Sequence, residues 1–323
     1  MWRNKAGAIR PRCGMRGAML PPDHLFVNRL RLPRCSTIIV RMKRTAALIV
    51  ALLVAAPAFA ERIVEVNGRH VQLFPSRGRA GTHGGGPNQN VSYHNGPVIH
   101  SAKVVPIFWG PSGTWGTASS PSALAQHIVG FFTQFGTNPQ YNTITQYYDM
   151  SGSIQLSSLT TTYVIDNSTP PTSVTDAIVQ GEVAKVVGQL GGARADTVYE
   201  VFLPASSYAT YGSWNSCGGP NLQFCAYHSN FVSSGVDIKY ASMPYPSCGG
   251  CQWSGWTTGQ NFDHFSAHET REAVTDPDGT AWYDRQGAEA DDKCAWSPSP
   301  FLVNGYGYQY EWSNLARGCV QSR

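Results

Sequence analysis

The chain has 323 residues, with 24 Lys+Arg against 20 Asp+Glu and a formal charge of +4. The basic excess sits in the first 60 residues, which hold eleven of the Lys+Arg and one acid; the other 263 carry 13 against 19, a net of −6. An acidic body of that length argues against a nucleic-acid partner, and it is long enough for one large domain or two small ones with a substantial core.

Residues 1–41 carry scattered arginines and no sustained periodicity, and read as a mis-called leader. A cleaner start follows at Met42. Lys43 and Arg44 form a charged n-region, Thr45 to Ala56 an apolar stretch, and Ala58-Phe59-Ala60 a small-x-small cleavage site. Residues 42–60 therefore read as a secretory signal peptide, since the apolar run is too short to span a bilayer and ends in Pro57 and small residues. No stable membrane anchor is expected after its removal.

Residues 61–90 are basic and then Gly-rich, and read as a linker, tail or removable pro-segment. The ordered domain is expected from Val91 to the end, as a single unit over 91–323. SAKVVPIFWG at 101–110 reads as a buried strand, with Pro106 pointing to a sheet edge or a bulge. A helix is expected over 121–135, with a start signal at Ser119-Ser120. SIQLSSLTTTYVID at 153–166 reads as a strand pair, and a second helix runs over about 172–190 to Gly191-Gly192. TVYEVFLP at 197–204 reads as a strand. The loop-rich stretch 205–260 contains further strands at about 222–229 and 236–243. A helix follows over 261–275, stopped by Asp276-Pro277-Asp278-Gly279, and then an aromatic-rich tail.

Outside the leader lie six cysteines, at 217, 225, 248, 251, 294 and 319. An even count in an exported chain predicts three disulfides. Proximity suggests Cys217 to Cys225, Cys248 to Cys251 and Cys294 to Cys319, although six cysteines allow fifteen pairings. A zinc ribbon is disfavoured, because no second pair has the required spacing.

The chemistry concentrates in HFSAHETREAVTD, from His264 to Asp276. His268 and Glu272 lie four apart, on one face of a helix, and are candidate metal ligands. Glu269 follows His268 directly, where zinc peptidases of the His-Glu-x-x-His type keep the general base; here the second histidine is a glutamate. A third donor has to come from elsewhere, and Glu289, Asp291 and Asp292 of GAEADDKC, Asp276 and His264 are the options. Zinc is the expected ion, with manganese or calcium compatible with the added carboxylate. A solvated acidic helix face is the plainer reading of the same residues.

The run HETREAVTDPDGTAWYDRQGAEADDKCAW, 268–296, resembles the motif region of the EXORDIUM or phosphate-induced protein family, secreted plant proteins with bacterial relatives. The resemblance rests on His268, Glu269 and Glu272, Pro277, Ala281-Trp282-Tyr283, and Glu289, Asp292 and Cys294. Tyr93-His94-Asn95-Gly96-Pro97, CAYHS at 225–229 and the close pair Cys248 and Cys251 add to it. It implies an extracellular or cell-wall location, no settled activity, and Glu289 and Asp292 as the better third donors.

The expected fold is α+β, a zincin-like mixed sheet with an active-site helix and a small disulfide-stapled C-terminal lobe. The expected function is a secreted zinc metallopeptidase acting on a peptide or cell-wall substrate. Glu269 would activate water beside an ion held by His268, Glu272 and an acid of the 289–292 loop. Tyr283, Tyr227 and His228 are candidate oxyanion donors. The strand at 236–243 is a candidate edge for an extended peptide, and Trp253, Trp256, Trp282, Trp296 and Trp312 a candidate sugar-stacking surface. One rival is a non-catalytic extracellular protein with a structural metal site; a weaker one is a carbohydrate-active enzyme with paired carboxylates.

Overall fold

The computed structural model describes residues 63–66, 69–79 and 89–323. The expected leader and signal peptide, 1–41 and 42–60, lie outside the described residues. Seven strands make one mixed sheet: β1 (Ile63–Val66), β2 (Arg69–Pro75), β3 (Lys103–Trp109), β4 (Val164–Asp166), β5 (Thr197–Phe202), β6 (Phe224–Ser233) and β7 (Val236–Met243). Their spatial order is β1-β2-β6-β7-β5-β3-β4. The four strands from β7 to β4 are parallel, and the pairings from β1 through β7 are antiparallel.

Side chains alternate across this sheet and feed two cores. Val104, Phe108, Phe202 and Ala226 enter one, packed with α1 (Ala123–Phe135) and α3 (Thr258–Thr275) through Phe131, Phe135, Phe262 and Phe265. Val105, Ile107, Val201 and Tyr227 enter the other, covered by Val179, Val183 and Val186 of α2 (Asp176–Gln189). Burial on both faces is why β3 and β5 read as near-continuous apolar runs. Each buried aliphatic or aromatic side chain contributes about 1.5–3 kcal/mol.

Pro106 lies inside β3 without breaking it. Val104 and Gly110 donate to Leu159 and Asp166 on the outer side of the strand, so Pro106, of the same parity, also faces outward. The β4 ladder there begins only at Ile107. The missing N–H therefore costs no ladder bond, which is the edge-like setting that proline requires.

Helix starts differ from the expectation by a few residues. The hydroxyl of Ser122, not Ser119 or Ser120, caps α1 by accepting from the Ala125 N–H. Helix α3 starts three residues earlier than expected, because Thr257 and Gln260 form a reciprocal capping box.

Several expectations are corrected. The strand at 236–243 is not an edge, since β7 is paired with β6 on one side and β5 on the other. Ser234 and Gly235, with φ of 52° and 79°, close the two-residue hairpin that folds β7 onto β6. Within the expected linker, Arg69–Pro75 forms β2, pairing antiparallel with β6, and Phe74 is wholly buried in the core. The C-terminal region is disulfide-linked but not a lobe apart, because Tyr308 and Trp312 share the core of α1 and α3.

Disulfide pairing departs from proximity. Cys217 bonds Cys248, Cys225 bonds Cys251, and Cys294 bonds Cys319 as expected. Gly249-Gly250 turns the chain tightly, with the Cys251 N–H donating to the Cys248 carbonyl. The turn presents its two sulfurs to different partners, Cys225 at a register shift in β6 and Cys217 in the preceding loop. Among the described residues no helix is long and apolar enough to cross a membrane.

Candidate metal centre

Helix α3 has a polar sequence, TGQNFDHFSAHETREAVT, and yet every residue from Asn261 to Thr275 is buried. A buried polar side chain without a partner costs roughly 1–3 kcal/mol, and a bare charge more, so each polar group on this helix needs an account. Asp263 accepts from Nε2 of His127 at 2.8 Å and from the Gly307 N–H at 3.1 Å. Thr270 donates to Glu200 of β5 at 2.5 Å. Arg271 is the buried cation, pairing with Asp291 and lying 3.3 Å from Glu311.

His268, Glu269 and Glu272 are answered differently. Nε2 of His268 has no hydrogen-bond partner, although Oε2 of Glu272 is 3.1 Å away and Oδ1 of Asp292 3.9 Å. Ligand bonds of about 2.0–2.1 Å at tetrahedral angles place donor atoms about 3.3 Å apart, so these separations fit donors gathered around one ion. The three residues form one buried group whose donor atoms lie within 4.8 Å of one another. His228, from β6, forms a second such group with Glu272 and Glu289. Its Nδ1 is 2.9 Å from Oε2 of Glu269, and its Nε2 is 3.7 Å from Oε2 of Glu289.

A loop delivers the acids. Gly287, at φ 83°, and the Asp284 carboxylate, accepting from the N–H groups of Gln286 and Ala288, turn the chain after Tyr283. Lys293 clamps Asp284 at 2.9 Å, and Cys294 is tied to Cys319. Asp292 donates its N–H to Oε1 of Glu272 at 2.9 Å, which leaves Oε2 turned towards the imidazoles. Beneath His268, Oε1 of Gln309 accepts from Nδ1 at 3.2 Å, while the Gln309 amide donates to the Asp291 carbonyl and carboxylate. That bond fixes the tautomer with its lone pair on Nε2, the pattern of a ligating histidine held from behind.

Desolvation and crowded like charges dominate the electrostatics of the site. Burial lowers the pKa of His268, and it lowers that of His228 and His264 to about 3, so all three imidazoles are neutral donors. Burial, then the neighbouring Glu272, pushes Glu269 and Glu289 well above the usual carboxylate range. Asp291 is pushed up to about 7 by burial, opposed by Arg271. A cation among these acids reverses the push by attracting the ionised form.

The remaining candidates lie elsewhere. Asp276, at the end of α3, accepts from the Ala281 N–H at 2.5 Å and shares a hydrogen bond with Glu289, beside the donor groups and not within either. Nε2 of His264 faces Gln309 at 3.1 Å, and Asp291 is engaged by Arg271. Tyr227, one residue from His228 on a strand, faces the opposite side and donates to Asp176 at 3.1 Å. Tyr283 stacks on His94. Trp282, Trp296 and Trp312 are buried in the core, not displayed as a sugar platform. The cysteine group 217, 248 and 251 is consumed by disulfides.

Sequence reasoning missed Gln309 and Glu200 and gave His228 only an oxyanion role. A lone glutamine in YGYQYEW carries no local signal. His228 was accessible in principle, because strand parity separates it from Tyr227 and turns it towards α3. Comparisons with family models, curated proteins and solved structures found no match to this chain.

Proposed function

We propose that the protein is a secreted metal-dependent hydrolase that cleaves peptide bonds, with a divalent ion held by His268, Glu272 and Asp292 and with Glu269 as general base. The observation that carries this reading is the hydrogen-bond-free Nε2 of buried His268, 3.1 Å from a Glu272 oxygen. One imidazole and two carboxylates suit zinc, and also harder ions such as manganese. The bound ion would polarise the scissile carbonyl and acidify a water.

The chain's own residues do the rest. Oε2 of Glu269 is held by His228, whereas Oε1 has no hydrogen-bond partner and is the atom placed to take a proton. A carboxylate with that oxygen open can accept the proton from water and pass it on to a leaving amine. A zincin-like arrangement and kinship with the EXORDIUM family belong to the same proposal, as does export, which the three disulfides support.

One observation favours a second reading, a structural ion in a non-catalytic protein: His268, Glu269, Glu272, Glu289 and Asp292 are each 0–1% exposed. Metal analysis of the purified protein, with a general peptidase assay before and after chelation, separates the two. Peptidase activity lost on chelation and restored by zinc or manganese is the expected result. Tightly held metal with no turnover sinks the catalytic reading.

A further inference from the structure

Beyond the ion at His268 stands a set of groups which that ion does not use. Glu289 is 0% exposed, and the one group that reaches its carboxylate is another acid, the Asp276 carboxyl, with no N–H donor to either oxygen. Oε2 of Glu289 lies 3.7 Å from Nε2 of His228, which is 3% exposed. His228 turns Nδ1 to the Glu269 carboxylate at 2.9 Å, so with Nδ1 as donor the lone pair on Nε2 points at Glu289. A carboxylate behind a histidine whose other nitrogen faces open acceptors is how ligating histidines are commonly held.

Glu272 joins the two sets. Its Oε2 is 3.1 Å from Nε2 of His268, and it belongs to both buried donor groups, the second of which sets it within 4.8 Å of the donor atoms that His228 and Glu289 offer. We propose that Glu272 bridges two divalent ions, the first held with His268 and Asp292 and the second with His228 and Glu289. A shared carboxylate suits the roughly 3.5–4 Å separation of two-metal sites. With two imidazoles and three carboxylates in all, the pair favours zinc or manganese over softer ions. The second ion also supplies counter-charge to Glu289 and Asp276, two acids buried side by side near His228.

The inference rests on the proposed function only for the first ion. Titrating metal-stripped full-length protein with Mn2+, followed by elemental analysis and by electron paramagnetic resonance, tests it. Two equivalents and a spin-coupled manganese signal are expected. Glu289→Gln should leave one equivalent and abolish the coupling, and Asp292→Asn should weaken the other ion. One equivalent in the unaltered protein, lost with Asp292→Asn and kept with Glu289→Gln, overturns the second ion while sparing the first. No bound metal at all overturns both. Stoichiometry and coupling in the unaltered protein decide the matter even if a variant fails to fold.

Discussion

His228 of β6 and Glu269 of α3 meet at 2.9 Å, Nδ1 to Oε2, and this contact joins the sheet to the helix at the centre of the candidate site. Because the carboxylate and not the metal ligands would handle the proton, Glu269→Gln should keep the ion and lose turnover by about 10²–10⁴-fold. Elemental analysis and a peptidase assay on one preparation check this. Unchanged proteolysis in a variant that still binds metal would remove Glu269 from the mechanism.

Glu200 gives a pH dependence whose sign is fixed by burial. Its carboxyl, facing Thr270 and wholly buried, is raised from 4.5 to about 8 by desolvation. Between those values the native state keeps a proton that the unfolded chain releases, so stability falls as pH rises through the window. Glu200→Gln, which cannot ionise, should flatten that slope and raise stability above pH 8 by a few kcal/mol at most. Denaturant melts at pH 4.5, 6 and 8 compare the slopes; parallel curves for the two proteins contradict the assignment.

Metal uptake should release protons, because burial holds Glu269 and Glu289 towards their protonated forms until a cation arrives. Affinity therefore rises with pH. Calorimetric titration in two buffers of different ionisation enthalpy reads the number released, and identical heats would show that the acids are already ionised without metal.

Phe74 of β2 lies over His268, with ring centroids 4.3 Å apart, and stacks on Trp296 at 5.2 Å. Phe74→Ala should cost about 3–5 kcal/mol as a core truncation. It should also speed metal loss to a chelator, by opening the cover above the imidazole. Phe74→Leu should do both more mildly. Destabilisation without faster metal loss would make Phe74 a packing residue only.

The sequence made the site helix legible, because His268, Glu269 and Glu272 follow a local spacing rule and a helix keeps residues four apart on one face. The acid loop was legible for a related reason: Glu289, Asp292 and Cys294 sit in one short run. His228 and Gln309 were not, since their role depends on β6 and the C-terminal tail arriving beside α3, and no periodicity within either segment encodes that approach. Pairing of Cys217 and Cys225 failed similarly, as nearness along the chain says little once a Gly-Gly turn aims two sulfurs apart. Pro106 signalled an edge-like position, and that its strand also has a short outer neighbour is visible only from the ladder. Reading β2 as a linker followed from the glycines after it, which masked an alternating VQLF stretch.

The antiparallel seat of β2 along β6, with Gln72 opposite His228, has a consequence for anything that must approach the site as an extended chain. A peptide pairing with that stretch of β6 would compete for the same backbone donors and acceptors with a segment of the protein itself. An attached competitor acts at an effective concentration of about millimolar or more. Free peptides at ordinary concentrations would lose that contest, so occupancy by a substrate would follow, not precede, the departure of β2.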